Sequence, residues 1–502
     1  MLQNAPHDAQ NIKVWNSLIQ ETMQAKKYKL AFKMYTDLKR RGFIPNQRTF
    51  NTMMTGYGSI QDWKQYTKIF EHVTAVYENA KAHLDQYRKD PEMWQRSRVH
   101  DPDLVLYPIA LYIEILGDVG LHQKAFDVFH DLDADGIFAP NAKIFEKVLA
   151  AIAKRETLPH DGDVAAQNIS DTKYFWRRLS KLMEQNPDAK VDSRVLESAF
   201  SVLAKGGKSE HALILSIFHE FCGLPVDGDR LRPRVELNRY AYDQILRACN
   251  IIKQHDLCIS YGDRLLDGPD ASEFRSYHAA QILYARHSLA TAGDDTQAAH
   301  ALRLLERTLA VPSGAQPPTP STLAVAFNIT SVCRDWNTAV KLVELLTGMP
   351  LVESARAGVE EVEHTQVVWK GGKPWKFHPQ PRVWCYLFRT ALSTRRPENA
   401  HQCLQLFHTY GQEIVTNWSA TARAVKRSDN ASEAEVKAVA VTLPALVITA
   451  VDVALSQDKV DSVSRVTWLA MRSEAKRSEK SVKDAPKRHR PPRSQPLQSS
   501  HI

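Results

Sequence analysis

Residues 13–51 read KVWNSLIQETMQAKKYKLAFKMYTDLKRRGFIPNQRTFN, and this stretch decides the fold. Its end repeats its beginning. Trp15 returns as Phe50, Asn16 as Asn51 and Leu18 as Met53, each thirty-five residues later. Between the two copies, Leu30, Met34 and Leu38 fall at four-residue spacing beside Ala31 and Tyr35, the mark of an amphipathic helix. Gly42 closes that helix, because a residue without Cβ accepts the left-handed turn that ends it. Pro45-Asn46 then opens the next helix. One unit is therefore helix, turn, helix, loop.

Weaker copies follow. Residues 107–141 place Gly120 at an inner turn, Ala125 at a helix contact, Gly136 at a helix end and Pro140 in the loop. Lys143 starts another first helix, KIFEKVLAAI, and Tyr240 starts YAYDQILRAC. Units also begin at Arg194, Ser321 and Arg382. In each complete unit an alanine stands eighteen residues after the start: Ala31, Ala125, Ala212, Ala339 and Ala400. A small residue there lets two antiparallel helices approach closely. The fold class this predicts is all-α, a right-handed α-solenoid of helix-turn-helix repeats with irregular insertions.

The chain has 502 residues, 43% of them hydrophobic and 9% aromatic, enough for a large core. The net charge is +8. From Arg472 to Arg493, nine Lys/Arg face only Glu474, Glu479 and Asp484, so the rest of the chain is close to neutral. Any surface for a polyanion must come from local clustering. The six cysteines, at 222, 249, 258, 333, 385 and 403, have neither zinc-knuckle nor redox-pair spacing, which fits a reducing compartment. The longest uncharged apolar stretch, Ala438–Val451, is fourteen residues, too short to cross a bilayer.

The stretch from Val14 to Asn51, VWNSLI…AFKMYTDLKRRGFIPNQRTFN, resembles the pentatricopeptide repeat family. Members are built of thirty-five-residue helical hairpins with Asn near the first helix start and Gly-x-x-Pro-(Asp/Asn) at the end. The resemblance is specific at residues 13–58 and weaker at 107–150 and 194–216. The tetratricopeptide repeat is the rival: its period is thirty-four, and it lacks the aromatic-Asn pair. The resemblance implies a non-catalytic protein that binds single-stranded or structured RNA in mitochondria. Its implied roles are rRNA or transcript processing, stability, splicing support or translation. The implied partner is the small ribosomal subunit or an RNA-processing complex, with no cofactor. Irregular repeats and long insertions resemble non-plant, fungal-type members. A degenerate solenoid acting as a protein-interaction scaffold is the competing reading.

In the family, specificity resembles a two-residue code: the fifth residue of a unit and the last before the next. Mapped here, this implies Ser17 with Gln47, Thr52 in the second unit, and Leu111 with Asn141 in the third. Leu111 cannot hydrogen-bond a base edge. Lys26, Lys27, Lys29, Lys33, Lys39, Arg40 and Arg41 crowd the first unit and could hold phosphates, or simply form a solvated helix face. Around Gly371-Gly372, the stretch 365–378 alternates apolar and polar residues and reads as a small β-hairpin. Its Trp369, Lys373 and Trp375 interleave rings with cations, suited to stacking on bases or to packing on neighbouring helices. Two motifs mimic sites. GGKSEH at 206–211 lacks the upstream glycine of a phosphate loop, since position 202 is Val202. DLDADG at 131–136 has Ala142 where a calcium loop needs a carboxylate.

The expected organisation is a short lead at 1–12 and repeats over 13–310. A proline-rich linker at 311–320 and degenerate repeats over 321–410, interrupted at 353–381, follow. C-terminal helices over 411–471 and a disordered basic tail at 472–502 complete it. Asp62–Trp94 reads as an extended helix and Leu158–Thr172 as polar and helix-poor. Met1–Gln10 carries no Lys or Arg, unlike a mitochondrial presequence. The first repeat starts without a polar cap, so the natural chain is expected to begin upstream.

Overall fold

Asn46 shows how a repeat starts. Its extended backbone stops the incoming loop, and its Oδ1 accepts the Thr49 amide at 3.1 Å while the Thr49 hydroxyl accepts the Asn46 amide at 3.2 Å. Two backbone donors at the helix start are thereby satisfied. The Oδ1 atoms of Asn11, Asn141 and Asn238 likewise accept backbone amides at the starts of three other first helices. At the opposite end, Gly42 adopts φ +82°, and Phe43 donates back to the Leu38 carbonyl at 3.2 Å.

The computed structural model describes residues 11–96, 100–155, 162–186, 191–225, 233–235, 237–268, 271–310, 318–347, 367–368, 374–375, 380–411, 441–456 and 461–483. The chain divides into two units, residues 1–257 and 258–502. Among the described residues both are α-helical, apart from an isolated parallel bridge between Val191 and Val235 and a two-residue antiparallel ladder that pairs Val367 with Trp375 and Val368 with Pro374.

In the first unit, the helices alternate between two layers. The first helices are α1 (Ile12–Gln24), α3 (Gln47–Gly58), α6 (Pro102–Val119), α8 (Ala142–Lys154), α10 (Arg194–Leu203) and α12 (Arg239–Ile251), and each packs on the next. The second helices are α2 (Tyr28–Arg40), α4 (Thr67–Lys89), α7 (His122–His130), α9 (Gly162–Gln185) and α11 (Lys208–Glu220). The short α5 (Pro91–Arg96) follows α4. Helix α13 (His255–Asp267) carries the division between units. In the second unit, α14 (Ser276–Thr291), α16 (Pro320–Val332), α18 (Pro381–Ser393) and α20 (Leu443–Leu455) form the row of first helices. Their partners are α15 (Gln297–Ala310), α17 (Trp336–Thr347), α19 (Pro397–Tyr410) and α21 (Ser462–Lys483).

Ala31, Ala125, Ala339 and Ala400 are fully buried, as their spacing predicts. Ala212 is exposed, a correction. There α11 turns Ile214, Ile217 and Phe218 inward, and Phe218 meets Phe200 edge-on at 5.4 Å, so bulky contacts replace the small one. A close helix approach lies elsewhere, where a Cβ on Gly117 of α6 would stand 2.8 Å from the Ala151 Cβ of α8.

Three expectations are corrected. Residues 162–172, read as helix-poor, begin the 24-residue α9. Tertiary contacts outweigh weak local propensity there: Asn168 donates to the Arg155 carbonyl and Asp171 pairs with Arg155 at 3.1 Å. The tail expected to be disordered from Arg472 is helical to Lys483. Its Trp468, Met471 and Ala475, at three- and four-residue spacing, are buried, and Arg472 pairs with Asp452 of α20 at 2.9 Å. Pro320, read as linker, is the first residue of α16, where its missing amide donor is not needed.

Candidate nucleic-acid interface

The first helices of the first unit lie side by side, and the residues they leave to solvent form its candidate interface. Ser17 is exposed on α1, with its Oγ donating to the Lys13 carbonyl at 3.1 Å, and both hydroxyl lone pairs remain open to a ligand. Thr52 on α3 is half-buried. Lys13 and Arg48 are exposed on the same two helices.

Gln47, expected to pair with Ser17, does other work. It is buried, and its Nε2 donates to Asn51 Oδ1 at 2.9 Å and to the Leu104 carbonyl at 2.7 Å. The cause lies in α6, which carries Pro108 in its interior. Proline has no amide hydrogen, so the carbonyl four residues earlier, that of Leu104, lacks its helical donor. Gln47 supplies one across the helix boundary.

The contact between a first helix and the loop before the next one forms one residue earlier than the sequence suggests. Asn16 donates to Asn46 Oδ1 at 3.2 Å and accepts the Thr49 hydroxyl at 2.7 Å. Asn16 is buried, so this triad locks α1 to α3 while Ser17 faces outward. Its signal in the sequence was the repeated aromatic-Asn pair itself. Asn141 caps α8, and its Nδ2 donates to Asp103 at 2.7 Å, which ties α8 to α6. Leu111 is buried in α6.

Along α6, α8 and α10 the cations of the row lie close to carboxylates. Lys147 pairs with Glu114 at 2.8 Å and Glu146 at 3.3 Å, and Lys143 reaches Glu146 at 2.6 Å. Arg194 of α10 stands 4.0 Å from Glu146, and Lys154 pairs with Asp118. Burial alone would depress the Lys147 ammonium, but the Glu114 hydrogen bond and both carboxylate charges hold its pKa above the usual value. On α12, burial raises the Asp243 carboxyl above its ordinary range against the opposing pull of Arg247 at 3.2 Å.

Of the clustered cations, Lys26 and Lys27 are exposed in the α1–α2 turn, with Lys26 at φ +55°. Arg40 is exposed, 3.9 Å from Asp37. Arg41 is half-buried with its guanidinium 5.7 Å from the Trp15 ring centre. Trp369 and Lys373 lie outside the described residues, and Trp375 is described only in its backbone pairing. The two mimic motifs have structural partners. Glu210 accepts the Gly207 amide at 2.9 Å at the start of α11, and Asp131 and Asp133 pair with Lys81 and Arg88 of α4. Among the described residues no three His, Cys, Asp or Glu are grouped to hold a metal ion. Nor is any described helix long and apolar enough to cross a membrane.

Residues 10–59 match the model of the PPR repeat family. A mitochondrial pentatricopeptide repeat-containing protein of Arabidopsis thaliana is 20% identical over 265 residues, which are 51% of this chain and 42% of that protein. The chain thus spans less than half the length of this curated relative. Among solved structures, the pentatricopeptide repeat protein PPR10 in complex with an 18-nt psaJ RNA element aligns at 14% identity and a TM-score of 0.33, covering 94% of this chain and 64% of that one. PPR10 from maize aligns at 13% identity and a TM-score of 0.32, covering 96% and 74%.

Proposed function

We propose, from the pentatricopeptide repeat that residues 10–59 carry, that this chain binds RNA along the row of first helices in its first unit. The observation that carries the reading is the regular stacking of α1, α3, α6, α8, α10 and α12, which sets solvent-facing positions of successive helices at repeated intervals. At its α1–α3 end the row offers the hydroxyls of Ser17 and Thr52 with Lys13 and Arg48. An unpaired strand can lay its bases there and its phosphates near the cations. The chain acts by occupying and reshaping RNA, and no bond is made or broken by its residues. The Arabidopsis relative's name supports a mitochondrial setting. RNA processing, stability, splicing support or work on the small ribosomal subunit all fit this role.

The experiment is a filter-binding titration of the full chain with single-stranded RNA at several salt concentrations. Log affinity should fall with log salt by about 0.7 per neutralised phosphate. Failure to bind at low salt overturns the reading. One observation favours a second reading for part of the row: the paired charges of α6, α8 and α10 leave little free positive charge for phosphate. A protein scaffold docking over that stretch would be captured at salt concentrations that release RNA.

A further inference from the structure

A cluster of unpaired charge in the first unit lies off the row just described. Lys26 and Lys27 in the α1–α2 turn, Lys29 and Lys33 on α2 and Lys68 on α4 are all exposed. Among the described residues none of the five has a carboxylate within salt-bridge distance. They line two adjoining depressions of about 510 and 530 Å³ that share Lys29 and Lys68, and Glu71 is the single acid on either wall. No residue of α1 or α3 lines them. The site therefore belongs to the second-helix layer alone.

Several cations of the other second helices in this unit are held by acids. Lys81 and Arg88 of α4 hold the acids that follow α7, and Lys173 of α9 holds Glu210. Five like charges left together raise the folded state's energy through self-repulsion, an arrangement that an anionic ligand relieves. The rings in the corner are already occupied. Phe32 stacks on His72 at 3.9 Å and 4°, and Tyr28 meets Tyr66 edge-on at 5.5 Å. One face each of Phe32 and His72 is covered by their stack, and no arginine lines either depression to fork onto a base edge. A lining dominated by lysine ammonium groups favours phosphate.

We propose that this corner binds the phosphate backbone of an RNA double helix, adjacent to an unpaired strand held on the first-helix row. An A-form helix presents closely spaced phosphates and base edges that side chains hardly reach, which suits lysines acting as point charges. The corner adds affinity without sequence preference, and it selects RNA in which a stem flanks a single strand. This inference rests on the RNA reading above.

The test compares an unstructured RNA of about 20 uridines with the same strand joined to a stem of roughly one helical turn. The parent chain should bind the stemmed RNA about tenfold more tightly, with a salt slope steeper by up to about 0.9 per lysine engaged. The variant K26Q/K29Q/K33Q/K68Q should lose that advantage and bind the uridine strand within about twofold of the parent. In the parent, stemmed RNA should protect Lys29 and Lys68 from acetylation, a measurement independent of how the variant folds. A stem advantage that survives the four substitutions, or lysines that stay unprotected, overturns the proposal while RNA binding stands. Equal losses on both RNAs overturn it too, because the lysines would then serve the unpaired strand. Retention of the parent but not the variant on phosphatidylserine vesicles, with RNA binding unchanged, assigns the corner to lipid instead. If the parent binds neither RNA, the RNA reading itself has failed.

Discussion

The α2–α4 corner and the α6–α8–α10 stretch are built from the same basic residue type and end in opposite electrical states. In the corner, five lysines stay in water and none meets a carboxylate. In the stretch, Lys147 and Glu146 are drawn between helices, with 6% and 3% of their side chains exposed, and each lysine there is answered by a carboxylate. Removing a charge from water costs several kcal/mol unless a partner replaces the water, so buried lysines arrive with acids and exposed ones need none. Counting lysines therefore says little about where RNA can bind. What matters is which ammonium groups the fold has already neutralised.

The sharpest way to break this comparison is Lys147→Met. It leaves Glu146 and Glu114 short of their partner, and urea unfolding should show a loss of about 3–5 kcal/mol. Lys29→Met in the corner should change stability by less than about 0.5 kcal/mol. Equal small losses at both positions would end the distinction.

Gly117→Ala tests the packing that forces the charges together. The added methyl meets Ala151 at 2.8 Å, so despite the roughly 1 kcal/mol that alanine contributes to a helix, the unfolding midpoint should fall by the equivalent of about 1–2 kcal/mol.

Gln47→Ala examines the residue that the sequence offers as an RNA contact. Stability should drop by about 1–2 kcal/mol because the Leu104 carbonyl loses its donor, with single-strand RNA affinity unchanged at a temperature where both proteins are folded. In a Pro108→Ala background, where the helix supplies that donor itself, the loss should shrink. Undiminished loss in the double variant would show that Gln47 acts through something else.

The smallest effect concerns acid. Hydrogen bonds from Lys173, Ser209 and the Gly207 amide hold the Glu210 carboxyl down to about 2. A depressed pKa stabilises the fold above the ordinary glutamate value of about 4.3, and that contribution disappears as pH falls toward 2. Glu210→Gln should lower the melting temperature by about 1–2 °C at pH 7. The gap between the two proteins should close through the acid range, and a constant gap would contradict the assignment.

The sequence by itself determined the repeat, the helix pairs and their ends, because those signals act within a turn or two of chain. The Pro45-Asn46 start, the Gly42 stop and the alanine eighteen residues into most units all act over such distances. The candidate Ser17 and the first-unit Lys26 and Lys27 are exposed. The sequence misplaced Gln47, which reaches a carbonyl fifty-seven residues away, and it missed the buried Asn16–Asn46–Thr49 triad. It also stopped short at α9 and α21, whose polar sequences become helical on contact with neighbouring helices. Which lysines remain free was decided only in the tertiary structure, since a carboxylate such as Glu114 meets Lys147 thirty-three residues on and no local pattern records the meeting. Helix propensity and capping are local energies, whereas pairing of charge is a property of surfaces that exist only after the helices have packed.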